Sequence, residues 1–121
     1  MDEAALIFLY KLFIDSGYDR ALEIANIIHR LALQNELYRR VTEFLGIRQS
    51  PALAYITTCY KEDLRTKTLE QLENETEIIL CLRSTAYALL MKYGYSCDEE
   101  QVLRTARIIL RILHKLAHSR C

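Results

Sequence analysis

Residues that interrupt secondary structure are scarce in this sequence, which has one proline and three glycines, and tryptophan is absent. The sequence also has no repeat, no low-complexity segment and no linker. Sixteen basic side chains balance sixteen acidic ones, so no net charge draws the whole molecule towards nucleic acid or an anionic membrane. Binding to either must therefore depend on local clusters of charge.

Long hydrophobic runs are also missing. The unbroken apolar run at residues 4–10 follows acidic residues, and Lys11 and Asp15 end it far short of the roughly 20 residues that a membrane span needs. We expect a buried helix here, and no membrane partner.

Clusters of metal-binding side chains are lacking as well. The four cysteines are spread singly, at Cys59, Cys81, Cys97 and Cys121, without the paired spacing of a zinc or redox motif. We interpret them as small buried side chains in a reduced compartment, with a disulfide pair as the alternative. His29 has no acidic residue or histidine three or four positions away, so we interpret it as a boundary residue and not as a ligand. The glutamates of residues 70–77 spread around their helix. The sequence thus predicts a cytoplasmic protein without a metal or other cofactor.

Local signals divide the chain into helices. Gly17, Gly46 and Gly94 stand where a helix would end in a left-handed residue. Helix starts are predicted at Asp19, at Ser50-Pro51, and at two capping boxes in residues 68–71 and 96–99. These signals predict helices over about residues 4–16, 19–34, 35–45, 51–64 and 68–93, followed by a last helix. Because the second and third read as one bent element, we predict a single-domain, all-α, antiparallel bundle of about five helices over residues 1–121.

The last helix combines a core face with a basic face. Its apolar residues recur on one stripe: Val102, Leu103, Ala106, Ile109, Leu110, Leu113, Leu116 and Ala117. Ile108 and Ile112 are expected to widen that stripe. The opposite sector carries Arg104, Arg107, Arg111 and Lys115, which span about 17 Å of helix and suit a phosphate backbone. The alternative is a structural one, in which acidic residues at the start and basic residues towards the end only complement the helix dipole.

A second basic region surrounds the Ser50-Pro51 turn. Its candidate nucleic-acid-binding residues are Arg39, Arg40, Arg48, Lys61, Arg65 and Lys67. The tyrosines are interpreted as core and boundary residues, with base stacking by one or two of them as the alternative.

Two pairs in the last helix, Arg107 with His114 and Arg111 with His118, repeat an arginine, six residues and a histidine. This spacing resembles the motif of HEPN-type ribonucleases, which implies a dimeric nuclease. The two members of each pair lie two helical turns apart, about 10 Å, so contact within one chain is not expected. No nucleophile motif or phosphate-binding loop is present, and we expect a protein that is not an enzyme.

Residues 19–45 form an aliphatic helix that runs into Asn35-Glu36-Leu37-Tyr38-Arg39-Arg40. This segment and the size and composition of the chain resemble the small helical subunits of archaeal CRISPR interference complexes, which serve in antiviral defence. The resemblance implies a non-catalytic subunit that stacks along larger protein subunits and contacts single-stranded DNA or RNA through basic side chains. A protein-only adaptor that docks through the first helix, at residues 6–13, is the other alternative.

Overall fold

The computed structural model describes residues 3–119, apart from the side chains of Glu3 and Tyr18. This part of the chain is helical and contains no strand, which confirms the all-α prediction. The helices are α1 (Glu3–Asp15), α2 (Tyr18–Ala32), α3 (Glu36–Leu45), α4 (Pro51–Cys59), α5 (Lys61–Thr66), α6 (Leu69–Glu73), α7 (Thr76–Lys92) and α8 (Glu99–His118). The prediction of about five helices was wrong for the described residues, because two predicted helices are broken and α2 and α3 are separate.

The chain divides into two units, one ending at Tyr60 and the other beginning at Lys61, and each is described by itself. In the first unit α1 packs against α2 and α4, and α4 also packs against α2 and α3. In the second unit α8 packs against α5, α6 and α7, and α6 also contacts α7. Both units contain fully buried aliphatic side chains, among them Ile28 and Leu53 in the first and Leu82 and Leu110 in the second. One domain over residues 1–121 stays a prediction.

Several predicted helix boundaries are confirmed. The Ser50 hydroxyl accepts a hydrogen bond from the Leu53 amide at 3.2 Å, with Pro51 as the first helical residue. Thr68 and Gln71 form the predicted capping box at the start of α6. Gly46 ends α3 in the left-handed conformation, at a φ of 69°.

Two predicted caps were wrong. Gly17 precedes α2 directly and no side chain caps this helix, so Asp19 lies inside the first turn. The predicted capping box at residues 96–99 does not form, because α8 begins two residues later than that box requires, at Glu99, and Asp98 is its cap. The Ser96 hydroxyl instead donates a hydrogen bond to the Asp98 carboxylate, at 3.1 Å.

Each of the two broken helices has a side-chain interaction at or near its break. The predicted helix at residues 51–64 is interrupted at Tyr60, after Thr57 turns its hydroxyl back to the Leu53 carbonyl at 2.7 Å. Such bonding to the preceding turn competes with the helix backbone. The predicted helix at residues 68–93 is interrupted at Asn74 and Glu75, where the Glu75 carboxylate binds the Lys67 ammonium at 2.9 Å.

Helix α1 is only partly buried, so the prediction of a buried helix was wrong for much of its surface. Leu6 is fully buried, whereas Phe8 is 62% exposed and Ile14 is 59% exposed. Within residues 3–119, no helix is long and apolar enough to cross a membrane.

The tyrosines with described side chains divide among buried, half-buried and exposed positions, and the half-buried ones, Tyr10, Tyr55 and Tyr60, are boundary residues as predicted. Tyr38 is fully buried, as a core position predicts. Exposure of Tyr87, Tyr93 and Tyr95 corrects the prediction that these tyrosines are core or boundary residues. All three belong to α7 or to the segment that follows it.

Candidate nucleic-acid interface

The start of α8 is fixed by a carboxylate. Asp98 accepts a hydrogen bond from the Gln101 amide at 2.8 Å, and this bond, reinforced by the Ser96 hydroxyl, lowers the pKa of the Asp98 carboxyl. The adjoining acidic side chains form ion pairs, Glu99 with Arg83 at 3.3 Å and Glu100 with Arg104 at 3.0 Å. Two of the three acidic side chains at the start of α8 therefore have a cationic partner.

The centre of the predicted apolar stripe of α8 is buried. Its buried members are Val102, Ala106, Ile109, Leu110 and Leu113. Leu103, Leu116, Ala117 and Ile112 are half-buried. Ile108 is 46% exposed, which corrects the expectation that it widens the buried side. An aliphatic side chain thus lies in the exposed sector of this helix.

The exposed sector of α8 carries the four predicted cations, Arg104, Arg107, Arg111 and Lys115. Because they follow one another at spacings of three and four residues, they share one face of the helix. Arg104 pairs with Glu100. Among the described side chains, none forms an ion pair with Arg107, Arg111 or Lys115. Three adjacent positive charges of α8 are therefore open to an external anion.

A shallow groove of about 410 Å³ runs along this face. Its lining consists of Glu100, Leu103, Arg104, Arg107, Ile108 and Arg111. The volume lies within the roughly 300–1,000 Å³ of typical ligand sites, although the groove is open along one side. Guanidinium groups and aliphatic side chains therefore line the same groove.

The second predicted basic region divides between the two units. In the first unit Arg39 and Arg48 are exposed and Arg40 is half-buried. In the second unit Lys61 and Arg65 lie exposed on α5. Arg65 approaches Glu62 at 3.5 Å, an exposed pair that holds its cation weakly.

Lys67 differs from the other predicted cations because two carboxylates hold its ammonium group, Glu75 at 2.9 Å and Asp63 at 3.5 Å. The hydrogen bond to Glu75 is the main cause of the raised pKa of Lys67. This lysine links α5 to Glu75, the residue that precedes α7. It is less available to an external phosphate than Arg107 or Arg111 on α8.

His114 has a structural partner. Its Nε2 atom lies 3.1 Å from the Lys67 carbonyl oxygen, which only accepts, so Nε2 carries the proton of this hydrogen bond. The His118 ring lies 4.3 Å away, centroid to centroid, and is exposed. The histidine of the first nuclease-like pair therefore helps to hold the segment between α5 and α6 against α8. The sequence pattern gave no signal of this contact, because its partners are 47 residues apart.

No group of three or more His, Cys, Asp or Glu side chains suited to a metal ion occurs among the described residues. Cys81 is buried, Cys59 and Cys97 are half-buried, and Cys121 lies outside the described residues.

The chain matches no protein-family model, no curated protein and no solved structure.

Proposed function

We propose that this chain is a non-catalytic helical subunit of a nucleoprotein assembly, which binds single-stranded DNA or RNA through the exposed basic face of α8. Larger protein subunits are its other partners, as in the CRISPR interference complexes whose small subunits residues 19–45 resemble. The proposal covers DNA and RNA alike, because phosphate contacts alone do not distinguish them.

The observation that carries the proposal is the set of open cations on α8. Arg107, Arg111 and Lys115 are exposed on one face and have no carboxylate partner among the described residues. A flexible single strand can bring successive phosphates to such a row, and each neutralised phosphate releases counterions. Backbone contacts of this kind bind strands of different sequence with similar affinity.

The helix dipole accounts for only part of this pattern. A favourable interaction with the dipole is confined to the last turn of a helix, where Lys115 and His118 lie. Arg104, Arg107 and Arg111 precede that turn and gain little from it. Their alignment on one exposed face makes them available to an external anion.

The proposal is tested by fluorescence anisotropy of labelled single-stranded DNA and RNA, titrated with the full chain at 50 and 200 mM salt. We expect binding to both strands, little dependence on base sequence, and a steep loss of affinity at the higher salt concentration. Absence of binding at 50 mM salt, with a folded protein by circular dichroism, would overturn the proposal.

The protein-only adaptor is favoured by a different observation, the exposed apolar side chains of α1. Phe8 is 62% exposed and Leu12, four residues later on the same face, is 38% exposed. Leu6, in the same predicted docking segment, is fully buried and belongs to the core. An adaptor would lose its protein partner on Phe8→Ser substitution and would bind neither strand in the anisotropy titration.

A further inference from the structure

The position of Ile108 on α8 is unusual among the large aliphatic residues of this helix. It is 46% exposed, whereas Ile109, Leu110 and Leu113 are buried. On a helix surface the neighbours of a residue lie three and four positions away. Ile108 therefore has Arg104 and Arg111 as neighbours, one on either side along the helix.

The groove on this face places the aliphatic and cationic groups together. Ile108 and Leu103 line it along with Arg104, Arg107 and Arg111. Glu100 also lines it, but pairs with Arg104, so the part of the groove nearest Arg107 and Arg111 is the part with uncompensated positive charge.

We propose that Ile108 packs against an unpaired base or its sugar while Arg107 and Arg111, which line the groove with it and have no carboxylate partner among the described residues, hold adjacent phosphates, so that this groove selects single strands over duplex. This inference rests on the proposed function of the same face. An unpaired nucleotide offers an apolar base face between two charged phosphates, which matches an aliphatic side chain between cations. In a duplex the base faces are stacked inside the helix, and only phosphates, sugars and groove edges reach a protein surface.

The test uses three labelled nucleic-acid ligands of equal length and charge per strand, which are a thymine oligonucleotide, an abasic strand and a duplex containing the thymine strand. A labelled acidic peptide is titrated beside them. The parent chain is expected to bind the thymine strand about three- to ten-fold more tightly than the abasic strand, because only the former can bury apolar surface on Ile108. Ile108→Ala should remove this difference and leave the affinity for the abasic strand and the salt dependence unchanged. Ile108→Ala should also leave the affinity for the duplex unchanged.

Leu80→Ala is the matched control, because Leu80 is a 58% exposed aliphatic residue on α7 that does not line this groove. It should bind all three ligands as the parent does. Equal binding of thymine and abasic strands by the parent, or an Ile108→Ala chain that still distinguishes them, would overturn the inference and leave the proposed function standing. Binding of neither strand would overturn both the inference and the proposed function. Binding of an acidic peptide alone, weakened by Ile108→Ala, would overturn both and assign the groove to a protein partner.

Discussion

Three residues of the first unit form a hydrogen-bonded chain around one buried hydroxyl. The Tyr38 hydroxyl accepts from the Ser50 amide at 3.2 Å and lies 2.9 Å from Nδ1 of His29. When His29 is neutral, the Tyr38 hydroxyl can donate its proton to Nδ1, because a neutral imidazole has one acceptor nitrogen. Burial, followed by repulsion from Arg48, lowers the pKa of His29, and both causes favour that neutral form.

The hydrogen bonds among His29, Tyr38 and Ser50 predict that the free energy of unfolding depends on pH. In the unfolded state His29 has a pKa of about 6.5. Its folded-state pKa is lower, so the unfolded state binds more protons and the free energy of unfolding falls as pH drops from about 7 through both pKa values. Above that range this contribution is constant. Denaturant unfolding at a series of pH values between 7 and 5 measures the dependence.

His29→Gln should flatten the dependence, because it removes the group that titrates. His118→Gln is the matched control, since it removes an exposed histidine that does not contact Tyr38, and the dependence should remain. A His29→Gln chain with the pH dependence of the parent would contradict this account.

The boundary position of His29 was predictable from the sequence, and the structure confirms that it is half-buried. Its partner was not predictable, because Tyr38 lies in the next helix and the contact depends on how α2 and α3 are arranged. A local sequence pattern thus indicates whether a side chain is buried more readily than it indicates which residue that side chain contacts.

Among the elements, α8 is the one on which both the second unit and the proposed function depend. It packs against α5, α6 and α7 through its apolar stripe, and Leu113 is fully buried there. Leu113→Ala should lower the free energy of unfolding by about 2 to 5 kcal/mol, since it removes buried methyl groups and leaves a cavity. Urea denaturation measures this change.

Leu80→Ala serves as the control at the same scale, because its side chain is 58% exposed, and it should change stability by no more than about 0.5 kcal/mol. A loss of less than about 0.5 kcal/mol for Leu113→Ala would mean that the apolar stripe of α8 does not form a core.

The two confirmed helix starts, at Ser50 and Thr68, were more predictable than the helix breaks. The caps at Ser50 and Thr68 depend on side chains within three residues of their backbone partners, so the sequence contains the whole interaction. The break at Glu75 involves Lys67, eight residues earlier and beyond another helix. The exposure of Ile108 was equally unpredictable, because helical periodicity places it at the edge of the apolar stripe and tertiary packing decides which side it joins. The cationic side of the candidate site was predictable, but its aliphatic component was not.

Over the whole molecule the net charge is zero, but only some of the cations have a carboxylate partner. Several cations are held by carboxylates, among them Arg83, Lys67 and Arg104. The basic face of α8 keeps three cations without such a partner among the described residues. Local binding of an anionic strand is thus compatible with an electrically neutral chain.

The whole chain is expected to be helical without a metal ion. Helix caps, aliphatic cores and ion pairs supply its stabilising contacts, and the described residues hold no metal-ligand cluster. Far-ultraviolet circular dichroism should show predominantly helix, with the same melting temperature before and after treatment with a chelator. A substantial strand signal, or a lower melting temperature after chelation, would contradict this expectation.

The salt dependence of strand binding tests the central claim most directly. Arg107→Gln with Arg111→Gln removes two open cations of α8 and preserves helix propensity. Arg20→Gln with Arg30→Gln is the matched control, because it removes the same charge from exposed positions on α2. Log affinity for a single strand is measured against log salt concentration for both variants, after circular dichroism has shown that each is folded. We predict that the slope for the α8 variant becomes shallower by about 1.4, or about 0.7 for each lost phosphate contact, while the control keeps the slope of the parent. An α8 variant with the affinity and slope of the parent would contradict the claim that this face binds a phosphate backbone.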